Sequence, residues 1–401
     1  MFFKNSKKEY LIIFAILVTE IMGFSLILPF LPFYATDLGA SPLQIGLILA
    51  LFSLFQFISA PIMGKLSDTY GRRPLLIFSQ LSTFLSFIIL GFADTLWMIY
   101  LSRIVDGLLG SNFTIAQAYL SDISSKKDRS KAFGISGAAF GFAFLIGPAI
   151  GGYLAQFNYS LPSFIAAALS LITIITTFFF LPETIKNKKT KKIKITELFD
   201  TKPFTKYFSQ QKISLKLWQF SSFFMSHVIW VSVFALYADR QLNIGTKEVG
   251  FILAYAGLMS IILRGVLLEK IIDFFGEKKL KFAGYLSVII GLLLAVFIKN
   301  FWLFFIVMTL FSFGFGILRP LLLGSISREV SENEQGAIMG LTSSLGSLTQ
   351  IFGPLIGGFL INYFFPGSVA IAAGAVMIIG LILFLIEIKS SRVKNIIKRT
   401  H

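Results

Sequence analysis

The 401-residue chain has no cysteine and only two histidines, His227 and His401. Disulfides and thiolate metal sites are therefore excluded. His-based zinc sites and the HExxH pattern fall with them, so no metal ligation is expected. No G-x-x-x-x-G-K-[ST] phosphate loop occurs, and any pumping must draw on an ion gradient or a separate subunit. Charge is also scarce, at 14% of residues against 55% apolar. Soluble domains carry about 25% charged residues, and so little polar surface is too little to face water. The composition is that of a membrane protein.

What is present is a succession of apolar runs of helical length, with no β-barrel alternation. The 46 Phe and 33 Gly supply bulky lipid-facing side chains and small ones that let helices approach closely. Twelve spans are predicted, at roughly 10–34, 42–64, 74–93, 96–120, 132–156, 161–181, 215–238, 247–268, 281–298, 301–323, 336–361 and 367–388. The first contains Glu20 and Pro29 and is too long for a signal-peptide core, so it is expected to remain a spanning helix. Residues 1–181 are read as an N-terminal six-helix bundle, 182–214 as a basic linker and 215–401 as a C-terminal bundle with a short basic tail. The linker holds Lys186, Lys188, Lys189, Lys191, Lys192 and Lys194, a self-repelling run expected to be solvated or to lie on anionic lipid.

A net charge of +16 would suggest nucleic acid in a soluble protein, but its placement here points elsewhere. Thirty of the 36 Lys and Arg fall on one side of the predicted topology, and only Arg240, Lys247 and Lys299 fall opposite. By the positive-inside rule both termini and the linker are expected in the cytoplasm, with no nucleic-acid partner. The remaining three, Arg103, Arg264 and Arg319, lie within spans.

The halves repeat. Gly147-Pro148-Ala149-Ile150-Gly151-Gly152-Tyr153-Leu154 returns as Gly353-Pro354-Leu355-Ile356-Gly357-Gly358-Phe359-Leu360, and Asp68-Thr69-Tyr70-Gly71 echoes weakly in Asp273-Phe274-Phe275-Gly276. Parallel duplication of a six-helix unit is a transporter architecture, with the binding site expected at mid-membrane between the halves.

The segment Gly64-Lys65-Leu66-Ser67-Asp68-Thr69-Tyr70-Gly71-Arg72-Arg73 resembles the G-x-L-x-D-x-x-G-R-[RK] signature of the major facilitator superfamily. Arg103-Ile104-Val105-Asp106-Gly107 resembles its R-x-x-x-G element, and Gly137, Gly141, Gly147, Pro148, Gly151 and Gly152 its antiporter-type motif. The stretch TEIMGFSLILPFLPFY is similar to the drug:proton antiporter branch, with bacterial tetracycline-type exporters nearest. Ser86, Ser260 and Ser287 stand where that group places ionisable or His residues, and Arg264 where it is polar and uncharged. The resemblance implies an all-α, twelve-helix transporter of two pseudo-symmetric bundles in a bacterial-type inner membrane. It implies export of amphipathic organic compounds in exchange for protons by alternating access, with no cofactor beyond the coupling proton. The partners implied are a small organic substrate and membrane lipid, with the chain a monomer and not an enzyme. The alternative on the same fold is export of a specific anionic metabolite, siderophore or lipid.

Each site residue has a functional and a plainer reading. Gly64, Asp68, Gly71, Arg72 and Arg73, with Asp122 as the expected partner of the cations, form by resemblance a latch for the outward-facing state. In it a carboxylate is expected against a helix N-terminus. The plainer reading is topological surface charge. Pro148 and its glycines either bend span five and help seal the cytoplasmic path, as the resemblance implies, or form a small-residue packing face. Glu20 is the first candidate for proton coupling, because an acid at that depth is functional by default. Burial and a nearby cation push a carboxyl's proton affinity in opposite directions, so it can load and release a proton as its surroundings alternate. The plainer reading is a neutral packing acid. Arg103 and Asp106, three apart, either neutralise each other or place Arg103 beside Glu20. Gln56, Asn112 and Gln117 either line the cavity or bond neighbouring helices. His227, Trp230 and Tyr237 either bind flat organics or are ordinary membrane aromatics. Arg264 and Arg319 either meet an anionic group of the substrate or balance a carboxylate.

Overall fold

The computed structural model of the chain describes residues 6–124, 129–185, 202–331 and 334–397. The lysine run Lys186–Lys194 lies outside the described residues. Every regular element among them is helical. Among the described residues ten helices are each long and apolar enough to cross a membrane, and one further pair, bent by 55°, is so when taken together.

The chain divides into two compact units. Described residues of the first unit form α1 (Ser6–Ile27), α2 (Leu31–Asp37), α3 (Pro42–Tyr70), α4 (Arg72–Gly91), α5 (Leu96–Leu109), α6 (Asn112–Ile123), α7 (Arg129–Ala155) and α8 (Ser160–Phe180). Pro29 separates α1 from α2, since proline cannot donate to the helical ladder. The fourth span is α5 and α6 together, interrupted at Gly110–Ser111. The break is satisfied from within the bundle, because the Ser111 amide donates to Ser79 Oγ at 2.6 Å. The core of this unit is Ile13, Ile16, Leu17, Ile115, Tyr119 and Leu120.

The remaining helices are α9 (Lys202–Phe208), α10 (Gln211–Ser232), α11 (Phe234–Leu242), α12 (Thr246–Ile262), α13 (Leu268–Phe275), α14 (Glu277–Phe297), α15 (Phe301–Ser327), α16 (Gln335–Tyr363) and α17 (Ser368–Ile397). A π-helical turn, Leu263–Leu267, joins α12 to α13 within one span. The bent span is α10 with α11. Trp230, Phe234, Tyr237, Phe304 and Phe311 form the aromatic core of the second unit.

The duplication is visible in the packing. In the first unit α1 packs on α7 and α8, and α4 on α5 and α8; in the second α10 packs on α16 and α17, and α14 on α15 and α17. The repeated glycines do the same work in each. A side chain at Gly147 or Gly151 would strike Ser25 or Leu26 of α1, and one at Gly353 or Gly357 would strike Val228, Ile229 or Val233 beside or within α10. The packing-face reading thus accounts for the part of the motif that both halves share.

Asn243–Leu258, the first half of the eighth span, belongs to the first unit. The reason is a second glycine contact on α7. A Cβ on Gly250 would strike Pro148 O, and one on Gly257 would lie 2.6 Å from Phe144 O. Pro148 has no amide hydrogen, so Phe144 O lacks its helical donor, and Gly257 lets α12 lie against that carbonyl. Thr246 adds a hydroxyl bond to Gly152 O at 3.1 Å.

Gly151→Ala forces a methyl into the backbone of Leu26 and is expected to lower stability by about 1–3 kcal/mol. At Gly137 nothing lies within 4 Å of an added Cβ. Gly137→Ala is expected to be neutral or stabilising by up to about 1 kcal/mol through helix propensity. Thermal unfolding in detergent checks the pair, and equal losses would contradict the assignment.

Candidate functional site

Glu20 sits two-thirds along α1 and faces α6 and α4. Asn112 Nδ2 donates to Glu20 Oε2 at 2.7 Å and to Thr83 Oγ1 at 3.0 Å. The Thr83 hydroxyl then donates to Asp106 Oδ1 at 2.9 Å. Asp106 Oδ2 lies 3.8 Å from Arg103 Nη1, and Arg103 Nη2 donates to Ser86 Oγ at 3.2 Å. One continuous polar path therefore runs from Glu20 through Asn112, Thr83 and Asp106 to Arg103. It is enclosed, with Asn112 1%, Arg103 3% and Asp106 7% exposed. Gly110, at the break in the fourth span, is needed here, since a Cβ would lie 2.8 Å from Asp106 Oδ1. The expectation that Arg103 lies beside Glu20 is corrected. Arg103 pairs with Asp106, three residues on along the same helix, and Asn112 is the partner that reaches Glu20. A cavity of about 10 Å³ borders Glu20, lined by Ile16, Thr19, Gln80, Thr83, Phe87, Ser170 and Thr173. That is the space of about one water molecule, far below the roughly 300–1,000 Å³ of drug-sized sites.

The second cluster joins α3, α4, α6 and the segment after α8. The Arg72 guanidinium pairs with Asp68, bonds Asp122 Oδ2 through Nε at 2.9 Å, and bonds Ser67 Oγ at 2.6 Å. Asp122 is the partner expected from the sequence. The carboxylate at the helix N-terminus, however, is Glu183 rather than Asp68. It accepts from the Arg72 amide at 2.9 Å and the Arg73 amide at 3.1 Å. Asp68 is in the last turn of α3, where its side chain meets Arg72 four residues on, so it does not reach the first amides of α4. Gly71 has φ +110°, and a side chain there would strike the Glu183 carboxylate. Gly64 is less constrained, because an added Cβ meets only Thr114 at 3.8 Å. Arg73 is held by the carbonyl of Phe178 and lies 5.5 Å over its ring.

The polar residues expected to line a cavity divide. Asn112 is consumed by the Glu20 path. Gln56 and Gln117 are half-buried and make no hydrogen bond to another described residue. Trp230 is 1% exposed and packs at a tilt against Tyr237, ring centroids 4.8 Å apart, and the Tyr237 hydroxyl donates to Ala295 O. These two are packed aromatics. His227 stands apart from them, with its ring 4.4 Å from that of Phe315 and 5.9 Å from that of Phe311. Arg319 lies 5.7 Å over the Phe224 ring, and Arg264 reaches Phe315 O at 3.5 Å. Neither arginine pairs with a carboxylate among the described residues.

Thr83 and Glu183 belong to these clusters without being candidates from the sequence, and Ser86, singled out there by its place in the family pattern, joins them as a partner of Arg103. Ser79, Thr83 and Ser86 recur at i, i+4 and i+7, a buried hydroxyl stripe on α4 that helical spacing marks. No local signal marks Glu183.

Gly71→Ala places a side chain in backbone territory reserved for glycine and against Glu183, with an expected loss of about 1–3 kcal/mol. Gly64→Ala should stay within about 0.5 kcal/mol of the parent. Thermal stability of the two purified variants checks this, and the reverse order would contradict the placement of Glu183.

The Major Facilitator Superfamily model matches residues 13–348 and 219–400 of the chain. The tetracycline resistance protein, class B, of Escherichia coli is 33% identical over 96% of this chain and 94% of its own length. Multidrug resistance protein 2 of Bacillus subtilis (strain 168) is 31% identical over 94% of this chain and 96% of its own. Among solved structures, the human organic anion transporter MFSD10 (TETRAN) superposes with a TM-score of 0.70 at 21% identity, over 94% of this chain and 99% of that one. The nucleoside transporter NupG superposes with a TM-score of 0.76 at 12% identity, over 95% and 99%. These two likenesses speak to the fold alone. With its signature segment built around Arg72 and its duplicated six-helix units, this chain belongs to the Major Facilitator Superfamily.

Proposed function

We propose that the chain is a secondary active exporter of amphipathic organic compounds, coupled to proton entry and working by alternating access. The relatives named for tetracycline and multidrug resistance support the substrate class. The observation that carries the coupling is the Glu20–Asn112–Thr83–Asp106–Arg103 path. It gives a membrane-embedded acid a fixed polar environment that ends on a cation. Glu20 is the proton carrier in this reading, and Arg103 with Asp106 sets the field it feels. By reciprocity, substrate that weakens proton binding is itself weakened by the proton to the same extent.

The Arg72 cluster acts as the conformational latch, with Glu183 holding the start of α4 and Asp122 and Asp68 sharing the guanidinium. Gly137, Gly141, Gly147, Pro148, Gly151 and Gly152 form the antiporter-type seal along α7. In the first unit Gln56 and Gln117, and in the second His227, Arg264 and Arg319, are the residues that meet substrate in this reading. The chain resides as a monomer in the inner membrane with both termini and the basic linker in the cytoplasm, as the placement of Lys and Arg supports.

Glu20→Gln mimics the protonated acid permanently. It is expected to fold and to equilibrate rhodamine B passively, but to lose accumulation driven by an imposed pH gradient in vesicles. Gradient-driven accumulation equal to the parent's would make Glu20 a structural acid and move coupling to Asp106.

A further inference from the structure

Arg264 and Arg319 are two fixed positive charges well inside their spans, at the nineteenth residue of Thr246–Phe275 and the nineteenth of Phe301–Ser327. A guanidinium stays protonated in any protein environment. Carried within a membrane, it requires a partner or a watered cavity. Arg103, the other intramembrane arginine, has its partner in Asp106. Lys216, at the start of the seventh span, has Glu329 and Glu387. Arg264 and Arg319 have no carboxylate within ion-pair distance among the described residues, and both reach the ring cluster around His227, Arg264 at Phe315 O and Arg319 over Phe224. The reading in which they balance a cavity acid thus has nothing to stand on in this unit.

The surroundings have the character of a ligand site. Arg264 occupies the π-helical turn Leu263–Leu267, a distortion that favours functional positions. Its hydrogen bond to a neighbouring helix among the described residues is a single one of 3.5 Å to Phe315 O, which leaves most of its five donors unused. The turn is exposed, with nothing within 4 Å of an added Cβ on the adjacent Gly265. Among the described residues Arg319 is held by the face of Phe224. His227 has a buried Nδ1 without a partner among the described residues. The rings of Phe224, Phe311 and Phe315 pack around His227.

We infer that Arg264 and Arg319 bind an acidic group of the exported compound, a carboxylate or similar oxyanion, while the aromatic rings around His227 take its flat apolar body. The inference rests on the export reading and names its substrate class as acids and zwitterions. One anion supplies each guanidinium group with charge-assisted bonds, so the site is specific for negative charge as well as permissive toward shape.

Rhodamine B and its methyl ester share one xanthene body and differ in a carboxylate. Their binding to the full-length purified chain in phosphatidylcholine nanodiscs is measured by fluorescence anisotropy. Hydrogen bonds to charged groups contribute about 1.5–3 kcal/mol, so the parent is expected to bind the acid at least about tenfold more tightly than the ester. Arg264→Gln and Arg319→Gln should each erase most of that preference while leaving ester binding unchanged, which also certifies their fold. Arg319→Lys should retain part of it. Equal binding of acid and ester by the parent, failure of both to bind, or a preference that survives both Gln substitutions overturns the inference. A preference present in phosphatidylcholine but abolished by phosphatidylglycerol assigns the arginines to lipid headgroups and overturns the solute reading. An intact acid preference without gradient-driven transport upholds the site and contradicts export.

Discussion

An ionisable side chain inside a bilayer has no water to fall back on, so its charge state is decided by the few polar groups packed against it. The rest of the account depends on that constraint at Glu20. Its carboxyl is met by an amide, the amide by a hydroxyl, the hydroxyl by a second carboxylate and that carboxylate by an arginine. Each member bonds the next, with Asn112 Oδ1 left without a partner among the described residues, and the chain crosses α1, α6, α4 and α5. In the proposed coupling, a proton arriving at Glu20 changes the balance along the whole path, and helices that share the path feel the change together. Buried networks of this kind are stiff when complete and costly when broken, which suits the proposed alternation between two arrangements.

The same demand for satisfaction shapes the helix ends and crossings. At the start of α4, Glu183 takes the first amides and Arg72 gathers Asp68, Ser67 and Asp122, so one junction ties four parts of the first unit. Along α7, glycine replaces hydrogen bonding with contact. Gly147 and Gly151 let α1 in on one side, while Gly152, Gly250 and Gly257 let α12 in on the other. The second unit repeats the first of these contacts through Gly353 and Gly357, and its own charged path is a different one, Glu329–Lys216–Glu387–Gln219. Arg264 and Arg319 stand outside that path.

Much of this was legible in the sequence because hydropathy and charge spacing are one-dimensional signals. The twelve spans, the duplicated Gly-Pro motif, the partnership of Arg72 with Asp122 and the embedded Glu20 all follow from runs, repeats and isolated charges. What escaped depends on chain-distant approach. Glu183 caps a helix that begins 111 residues earlier, and a lone acid after a span looks like any loop charge. Asn112 reads as a cavity residue because its distance from Glu20 is set by helix packing alone. Arg103 and Asp106 read as an i, i+3 pair, but the hydroxyl of Thr83 that joins them to Asn112 lies on another helix, and its spacing with Ser79 and Ser86 marks a stripe without naming its partners. The break at Gly110–Ser111 was also missed, although a glycine beside a serine in a helix is a visible weakness.

The most direct test of the central claim is proton release on ligand binding. Rhodamine B is added to the purified protein in weakly buffered solution, and the medium's pH is followed to saturation. The account predicts acidification in proportion to the ligand bound, because substrate and proton weaken each other's binding at a linked site. Saturable binding with no release or uptake of protons, at any pH where the protein is stable, would contradict it.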